Sequence, residues 1–209
     1  MPARPPDLAD GSATADAALM ARLACGDAAA LDPLYRRHRK TVYRFALLWS
    51  GAPATAADVT QDVFVHLITR AGDWDARLGA LAPWLLGIAR NFVRRRTGTR
   101  EVPMADDDGD GPAPPSLVED DTPDARVGAR QDLARLRRGI AALPPHYRDV
   151  LVLVELAERS YAETAAICGC ELNTVRSRLS RARALLARWL ALDDGSAAAA
   201  PAAAGRRLS

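Results

Sequence analysis

Between Ser160 and Trp189 the chain reads S-Y-A-E-T-A-A-I-C-G-C-E-L-N-T-V-R-S-R-L-S-R-A-R-A-L-L-A-R-W, and few folds accommodate that run. Ser160 followed by Glu163 is a capping box, in which each side chain satisfies an orphan backbone N–H at a helix start. A helix is therefore expected from near Tyr161 through Ala162, Ala165 and Ile167. It closes at Gly169, a residue free to take the left-handed conformation of a short turn. A second helix is expected from Glu171 or Leu172, because Val175, Leu179, Ala182, Leu186 and Trp189 recur at intervals of three and four and share one stripe. Arg176, Ser177, Ser180, Arg181 and Arg188 fall on the other side. An apolar back with an outward row of arginines and small polar residues suits the major groove of DNA, where guanidinium groups reach phosphates or guanine edges. A solvated surface helix would carry the same charges. The capping box, the glycine turn and the short first helix together favour a helix-turn-helix.

The rest of the chain sets the frame for that motif. Its 209 residues allow one or two domains. Abundant Ala, Leu and Arg with almost no β-branched runs imply an all-α fold. The net charge of +2 hides an asymmetry: Arg90 to Arg100 and Arg176 to Arg188 are basic, whereas Asp106 to Asp121 is acidic. Lys40 is the sole lysine, so the cationic surface is nearly all Arg, whose planar fork matches phosphate and base edges. Cys25, Cys168 and Cys170 are an odd number without an export signal, which argues against a disulfide framework, and the pair beside Gly169 reads as small buried turn residues. His38, His66 and His146 are dispersed, so no zinc site assembles from local spacing, and neither a metal nor another cofactor is expected. No apolar run reaches the roughly eighteen residues of a membrane span, and the N-terminus lacks the apolar core of an export signal. A cytoplasmic protein without membrane insertion is expected.

Residues 1–14 and 193–209 read as disordered ends, and residues 98–125, rich in Asp, Gly and Pro, as a flexible acidic linker between helical domains at 15–97 and 126–192. The first domain is expected to open with a helix near Asp16 to Cys25. A longer one follows with Leu31, Tyr35, His38, Val42, Phe45 and Trp49 in phase, either capped by Asp32 with Pro33 at its first position or kinked there. A third is expected from Thr55, burying Val59, Val63, Leu67 and Ile68 and exposing Asp58, Gln61 and Asp62. A fourth, from about Pro83 to Arg96, buries Trp84, Leu85, Ile88, Ala89 and Phe92 and leaves Arg90, Asn91, Arg94 and Arg95 outward. The second domain adds a helix with Leu133, Leu136, Ile140 and Leu143 in phase and another from Pro145 to Ala157. Two arginine-bearing domains on one arm suit one extended polyanion. An arm of about 27 residues spans about 30 Å as a coil and about 90 Å extended, against about 58 Å for seventeen base pairs, so a bound partner has to hold it open.

Five segments, in order, resemble the extracytoplasmic-function sigma factors, the small two-domain promoter-recognition subunits of bacterial RNA polymerase: D-V-T-Q-D-V-F-V-H-L (58–67), P-W-L-L-G-I-A-R-N (83–91), A-L-P-P-H-Y-R-D-V-L (142–151), S-Y-A-E-T-A (160–165) and T-V-R-S-R-L-S-R-A-R (174–183). The resemblance implies sigma region 2 in the first domain and region 4 in the second. It implies that Asp58, Gln61 and Asp62 dock on the β′ subunit of core polymerase, with the β subunit a further partner. Trp74, in the loop 72–82, with Arg90, Asn91, Arg94 and Arg95, would engage the -10 element and its melted strand. Leu172, Asn173, Thr174, Arg176, Ser177, Ser180 and Arg181 would read the -35 element. An anti-sigma factor is implied as a further partner, and the linker would thread toward the polymerase channels.

The chain departs from the family pattern at Glu171 and Asn173, where relatives often carry Ser and Gly, and at Arg95, where an acidic residue is common. The expected function is a non-enzymatic initiation subunit, since no nucleophile-base pair, phosphate-cradling loop or metal constellation is apparent. The alternative is an independent helix-turn-helix regulator that binds an operator without polymerase. A third reading, a helical adaptor with solvated arginines, requires weak, purely salt-dependent DNA binding.

Overall fold

The computed structural model describes residues 7–99 and 127–198, and among them every regular element is helical. Nearly all of the expected linker lies outside the described residues, as do residues 1–6 and 199–209. The first half comprises α1 (Asp7–Ala24), α2 (Leu31–Ser50), α3 (Pro53–Thr69) and α4 (Leu81–Arg96). The second comprises α5 (Val127–Ala142), α6 (Pro145–Leu151), α7 (Tyr161–Cys168) and α8 (Leu172–Ala198). Helix therefore reaches beyond expectation at both ends: α1 begins before Asp16 and α8 passes Asp193.

Apolar spacing explains the first half. Leu34, Val42, Phe45 and Trp49 of α2 meet Val59, Val63 and Leu67 of α3 and Leu81, Leu85, Ala89 and Val93 of α4, all of them buried. Pro33 produces no kink, because it sits in the first turn of α2, where backbone N–H groups have no partner within the helix. The side chain of Asp27 receives the N–H of Ala29 and starts the short 3-10 turn Ala28–Ala30 that leads into α2, whose N-cap is Ala30 without a side-chain hydrogen bond; Asp32, the expected cap, lies within the first turn. Gly51, at φ +71°, closes α2 by donating its N–H to the carbonyl of Leu47 (2.8 Å), and Pro53 then opens α3, ahead of Thr55. Helix α1 is held to α2 by a buried cluster in which Asp16 meets His38 Nε2 at 2.8 Å and also pairs with Arg37.

In the second half Ile140, Leu143, Val150 and Leu153 join Val175, Leu179 and Ala182 of α8 in the core. Gly139 lets α5 and α8 meet closely: a Cβ there would lie 2.8 Å from both the Leu186 side chain and the Trp189 ring. After Leu151 the chain widens into a π-helical turn, Val152–Leu156, where the N–H of Ala157 reaches back five residues to the carbonyl of Val152 (2.8 Å). Glu158 follows in the left-handed region at φ +55°, and the chain reverses to deliver Ser160 to the start of α7. The helix expected from Pro145 to Ala157 is thus α for its first half and π for its second. Two in-phase apolar residues expected to be inward are not: Ile68 is 47% exposed and Leu133 43%.

The halves pack directly on one another, α2 against α5 and the π turn, and α4 against α7. At the centre of this contact is Asp149 of α6, 1% exposed, which accepts hydrogen bonds from Trp49 Nε1 (2.6 Å) and Arg90 Nε (2.6 Å). The adjacent Arg148 stacks its guanidinium 4.4 Å from the centre of the Trp49 ring and donates to the carbonyls of Trp49 (3.2 Å) and Leu143 (2.9 Å).

Candidate nucleic-acid interface

The capping box forms as the sequence implies. Glu163 N donates to Ser160 Oγ (3.1 Å) and Ser160 N donates to Glu163 Oε2 (2.8 Å). Gly169 takes the left-handed conformation (φ +63°, ψ +41°), and the next N–H, of Cys170, reaches back to the carbonyl of Ala165 (3.1 Å), a Schellman-type ending to α7. Burial raises the thiol pKa of Cys168 to about 12, which leaves it a protonated turn residue rather than a thiolate. Helix α8 then starts at Leu172 with its stripe of Val175, Leu179 and Ala182 fully packed. Asn173, Arg176, Ser177, Ser180 and Arg181 lie exposed on the opposite side, with Leu172 and Thr174 half-buried at their margin. Asn173 Oδ1 accepts from Arg176 Nη1 (2.8 Å), and Ser177 Oγ donates to the carbonyl of Thr174 (3.1 Å). The result is a convex polar ridge, one guanidinium already oriented, on a helix whose back is fixed by packing.

The residues expected to meet the -10 element divide. Asn91 and Arg95 are exposed on α4, Arg95 with its guanidinium 5.7 Å from the centre of the Phe92 ring. Arg90 and Arg94 are not outward: both are buried against the second half, with Arg90 bonded to Asp149 and Arg94 Nε 3.9 Å from the same carboxylate. Trp74 is half-buried in the loop between α3 and α4, where Asp75 caps the 3-10 turn Ala76–Leu78 and pairs with Arg77. Those hydrogen bonds hold the Asp75 carboxyl down at about 2. This loop, α4 and α7 enclose an open cleft of about 910 Å³ whose lining includes Trp74, Leu78, Trp84, Arg90, Asn91 and Glu163. Trp84, Ile88 and Phe92, expected in the core, are half-buried and packed against it.

Asp58 and Gln61 are exposed on α3 and Asp62 is half-buried beside them. Arg96 of α4 bridges the two carboxylates, meeting Asp62 Oδ2 at 2.8 Å and Asp58 Oδ2 at 3.0 Å. Val65, 53% exposed, and Ile68 continue the same face at helical spacing, so the acidic residues border an unpartnered apolar strip. Periodicity alone put Ile68 inside. Neither Arg96 nor Asp149 was singled out in the sequence, since each acts through a contact distant along the chain.

Comparison with known proteins matches each half to a family. Residues 34–100 match the family Sigma-70 region 2, and residues 133–186 match Sigma-70, region 4. The probable RNA polymerase sigma-C factor of Mycobacterium bovis is 35% identical over 171 residues, covering 81% of this chain and 89% of that protein. The ECF RNA polymerase sigma factor SigE of Mycolicibacterium smegmatis is 35% identical over 80% of this chain, and the match spans 65% of that longer relative. Among solved structures, CnrH in complex with the cytosolic domain of CnrY superposes with a TM-score of 0.65 at 27% identity, over 86% of this chain and 99% of that one. The sigma factor RpoE in complex with the anti-sigma factor NepR, from Bartonella quintana, gives a TM-score of 0.55 at 25% identity, over 77% and 96%. The chain belongs to the extracytoplasmic-function sigma factors of RNA polymerase. Among the described residues no helix is long and apolar enough to cross a membrane.

Proposed function

We propose that this sigma factor delivers core RNA polymerase to promoters by laying the exposed face of α8 in the major groove of the -35 element. Its first half handles the -10 element in this reading. The observation that carries it is the row Asn173, Arg176, Ser177, Ser180 and Arg181, exposed opposite the buried stripe of α8 and braced by the capping box of α7. Arginine forks on such a ridge give bidentate contacts to guanine or phosphate, and the small serines let the helix approach the base edges. Asn91, Arg95 and Trp74, joined by Arg90 and Arg94, track and stack on the melted strand, a combination of cationic groove and aromatic surface that suits unpaired nucleotides. The face of Asp58, Gln61 and Asp62, with Val65 and Ile68 beside it, is the docking surface for the β′ subunit. Burial of that apolar strip supplies affinity, and the carboxylates supply orientation.

The chain works by binding rather than by catalysis, in the cytoplasm, where polymerase and promoter meet. An anti-sigma factor is its regulator in this reading, by analogy with RpoE, whose structure contains NepR. The test is transcription from genomic DNA by core polymerase supplemented with the purified chain. Discrete transcripts dependent on the chain are expected. Arg176→Ala and Arg181→Ala are each expected to lose about 1–3 kcal/mol of promoter binding if bidentate to a base, read as loss of those transcripts. Full activity in both variants would contradict the assignment to α8.

A further inference from the structure

We propose that the exposed face of α2 is a docking surface for this chain's own acidic segment, residues 105–124, which packs on it in the free chain. The proposal is independent of promoter recognition, since neither DNA nor polymerase takes part in the contact.

Helix spacing builds the surface. Tyr35, Arg39 and Tyr43 form one row along α2 and Arg36, Lys40 and Arg44 the next, each at intervals of four, and all six are exposed. Like charges at this spacing repel one another. Asp32 is the sole acid of α2, and it meets Arg36 at 3.0 Å. Among the described residues no ion pair joins Arg39, Lys40 or Arg44, so the row calls for an outside anion. A strand of unpaired bases needs successive open rings. Here one of the two tyrosines is engaged within the chain, since Arg39 lies 5.6 Å over the Tyr35 ring and Phe64 meets that ring at 4.8 Å.

The acidic segment has the complementary pattern. Residues 100–126 lie outside the described residues and hold nine acids against two arginines. Glu119, Asp120 and Asp121 directly follow Leu117 and Val118. An apolar pair followed by three carboxylates matches a tyrosine bordered by Lys40 and Arg44, the pair covering the Tyr43 ring while the carboxylates meet the cations. Helix α8 competes for the same carboxylates, but no aromatic residue stands in it between Leu172 and Arg188. Reach is ample. The chain from Thr99 to Leu117 can extend about 60 Å. Tyr43 stands about 12 Å along α2 from Gly51, and the end of α4 is tied through Arg96 to Asp58 near the start of α3, which follows Gly51 closely. Tethering holds the segment at an effective concentration of about a millimolar, so a weak contact is enough to populate the docked state.

Photo-cross-linking of the full chain tests this. Tyr43→p-benzoylphenylalanine is irradiated at low concentration and the joined peptides are identified by mass spectrometry. Separate chains carry the same probe at Ser180 on α8 and at Val65 on α3, and circular dichroism confirms that each is folded. The Tyr43 probe is expected to join peptides within 105–124 at least about threefold more often than the Ser180 probe, and the Val65 probe, beside Asp58 and Asp62, to join none. Lys40→Glu with Arg44→Glu, or about 1 M sodium chloride, is expected to lower that yield at least about threefold, because the charges are reversed or screened. The proposal is overturned if the Tyr43 probe joins no peptide of this segment, if the Ser180 probe matches it, or if the yield is indifferent to charge reversal. Cross-links between two chains would replace it with a contact between copies. A random-sequence single-stranded oligonucleotide that abolishes the segment's cross-link and is itself captured at Tyr43 would replace it with nucleic-acid binding.

Discussion

Single side chains set the geometry of the helix-turn-helix, and their contributions can be measured. Ser160 and Glu163 satisfy each other's backbone N–H groups at the start of α7. Ser160→Ala is expected to lower stability by about 1 kcal/mol, read by urea denaturation, and an unchanged midpoint would mean the cap contributes nothing. His38 is a second test. Burial lowers its pKa from the ordinary value near 6.5, outweighing the neighbouring Asp16 carboxylate, which acts in the opposite direction. Because the folded pKa lies below the unfolded one, the unfolded chain binds the extra proton first as pH falls. The contribution of His38 is therefore complete above about pH 6.5 and is lost as pH drops below it toward the folded value. His146, half-buried and near Arg178, shifts in the same sense, burial being the larger cause. His38→Gln is expected to flatten the loss of stability between neutral and mildly acidic pH, and a slope identical to wild type would contradict this account of the α1–α2 cluster. Such local signals were legible in the sequence: S-x-x-E fixes a helix start, and Gly169 fixes its end, within a few residues of chain. The burial of Arg90 was not legible, because it depends on a carboxylate 59 residues away.

At the level of elements, periodicity located all eight described helices but not their limits or every inward face. The α2 stripe from Leu34 to Trp49 packs as its spacing demands, whereas Ile68 and Leu133 are in phase and exposed. A helix presents its whole circumference, and which part is covered depends on neighbours that a single-helix pattern does not contain. Helices α1 and α8 likewise run past the expected boundaries, through residues 7–15 and 193–198. The π turn at Val152–Leu156 has no sequence signature, yet it redirects the chain toward the cap at Ser160. Packing between elements is sharpest at Gly139, where α5 leaves no space for a side chain against Leu186 and Trp189. Gly139→Val is expected to destabilise the second half by about 1–3 kcal/mol through overpacking, measured by thermal unfolding. A variant as stable as wild type would show that α5 and α8 are not pressed together as described.

The whole molecule combines an exposed polar face on α8, an acidic and apolar face on α3, and a buried contact between its halves at Asp149. The exposure of the α8 row and of Asp58 and Gln61 on α3 was legible in the sequence, because each row lies on one helix. The contact at Asp149 was not legible, since it joins α2, α4 and α6 and exists only in the assembled fold. Promoter recognition as proposed depends on core polymerase, which makes that partnership the central claim. The most direct measurement is size-exclusion chromatography of the purified chain mixed with bacterial core RNA polymerase, alongside a variant carrying Asp58→Lys and Asp62→Lys. The account expects the wild type to comigrate with core at one-to-one stoichiometry and the variant, folded by circular dichroism, to elute apart. Clean separation of the wild type from core, with no bound inhibitor covering α3, would contradict it.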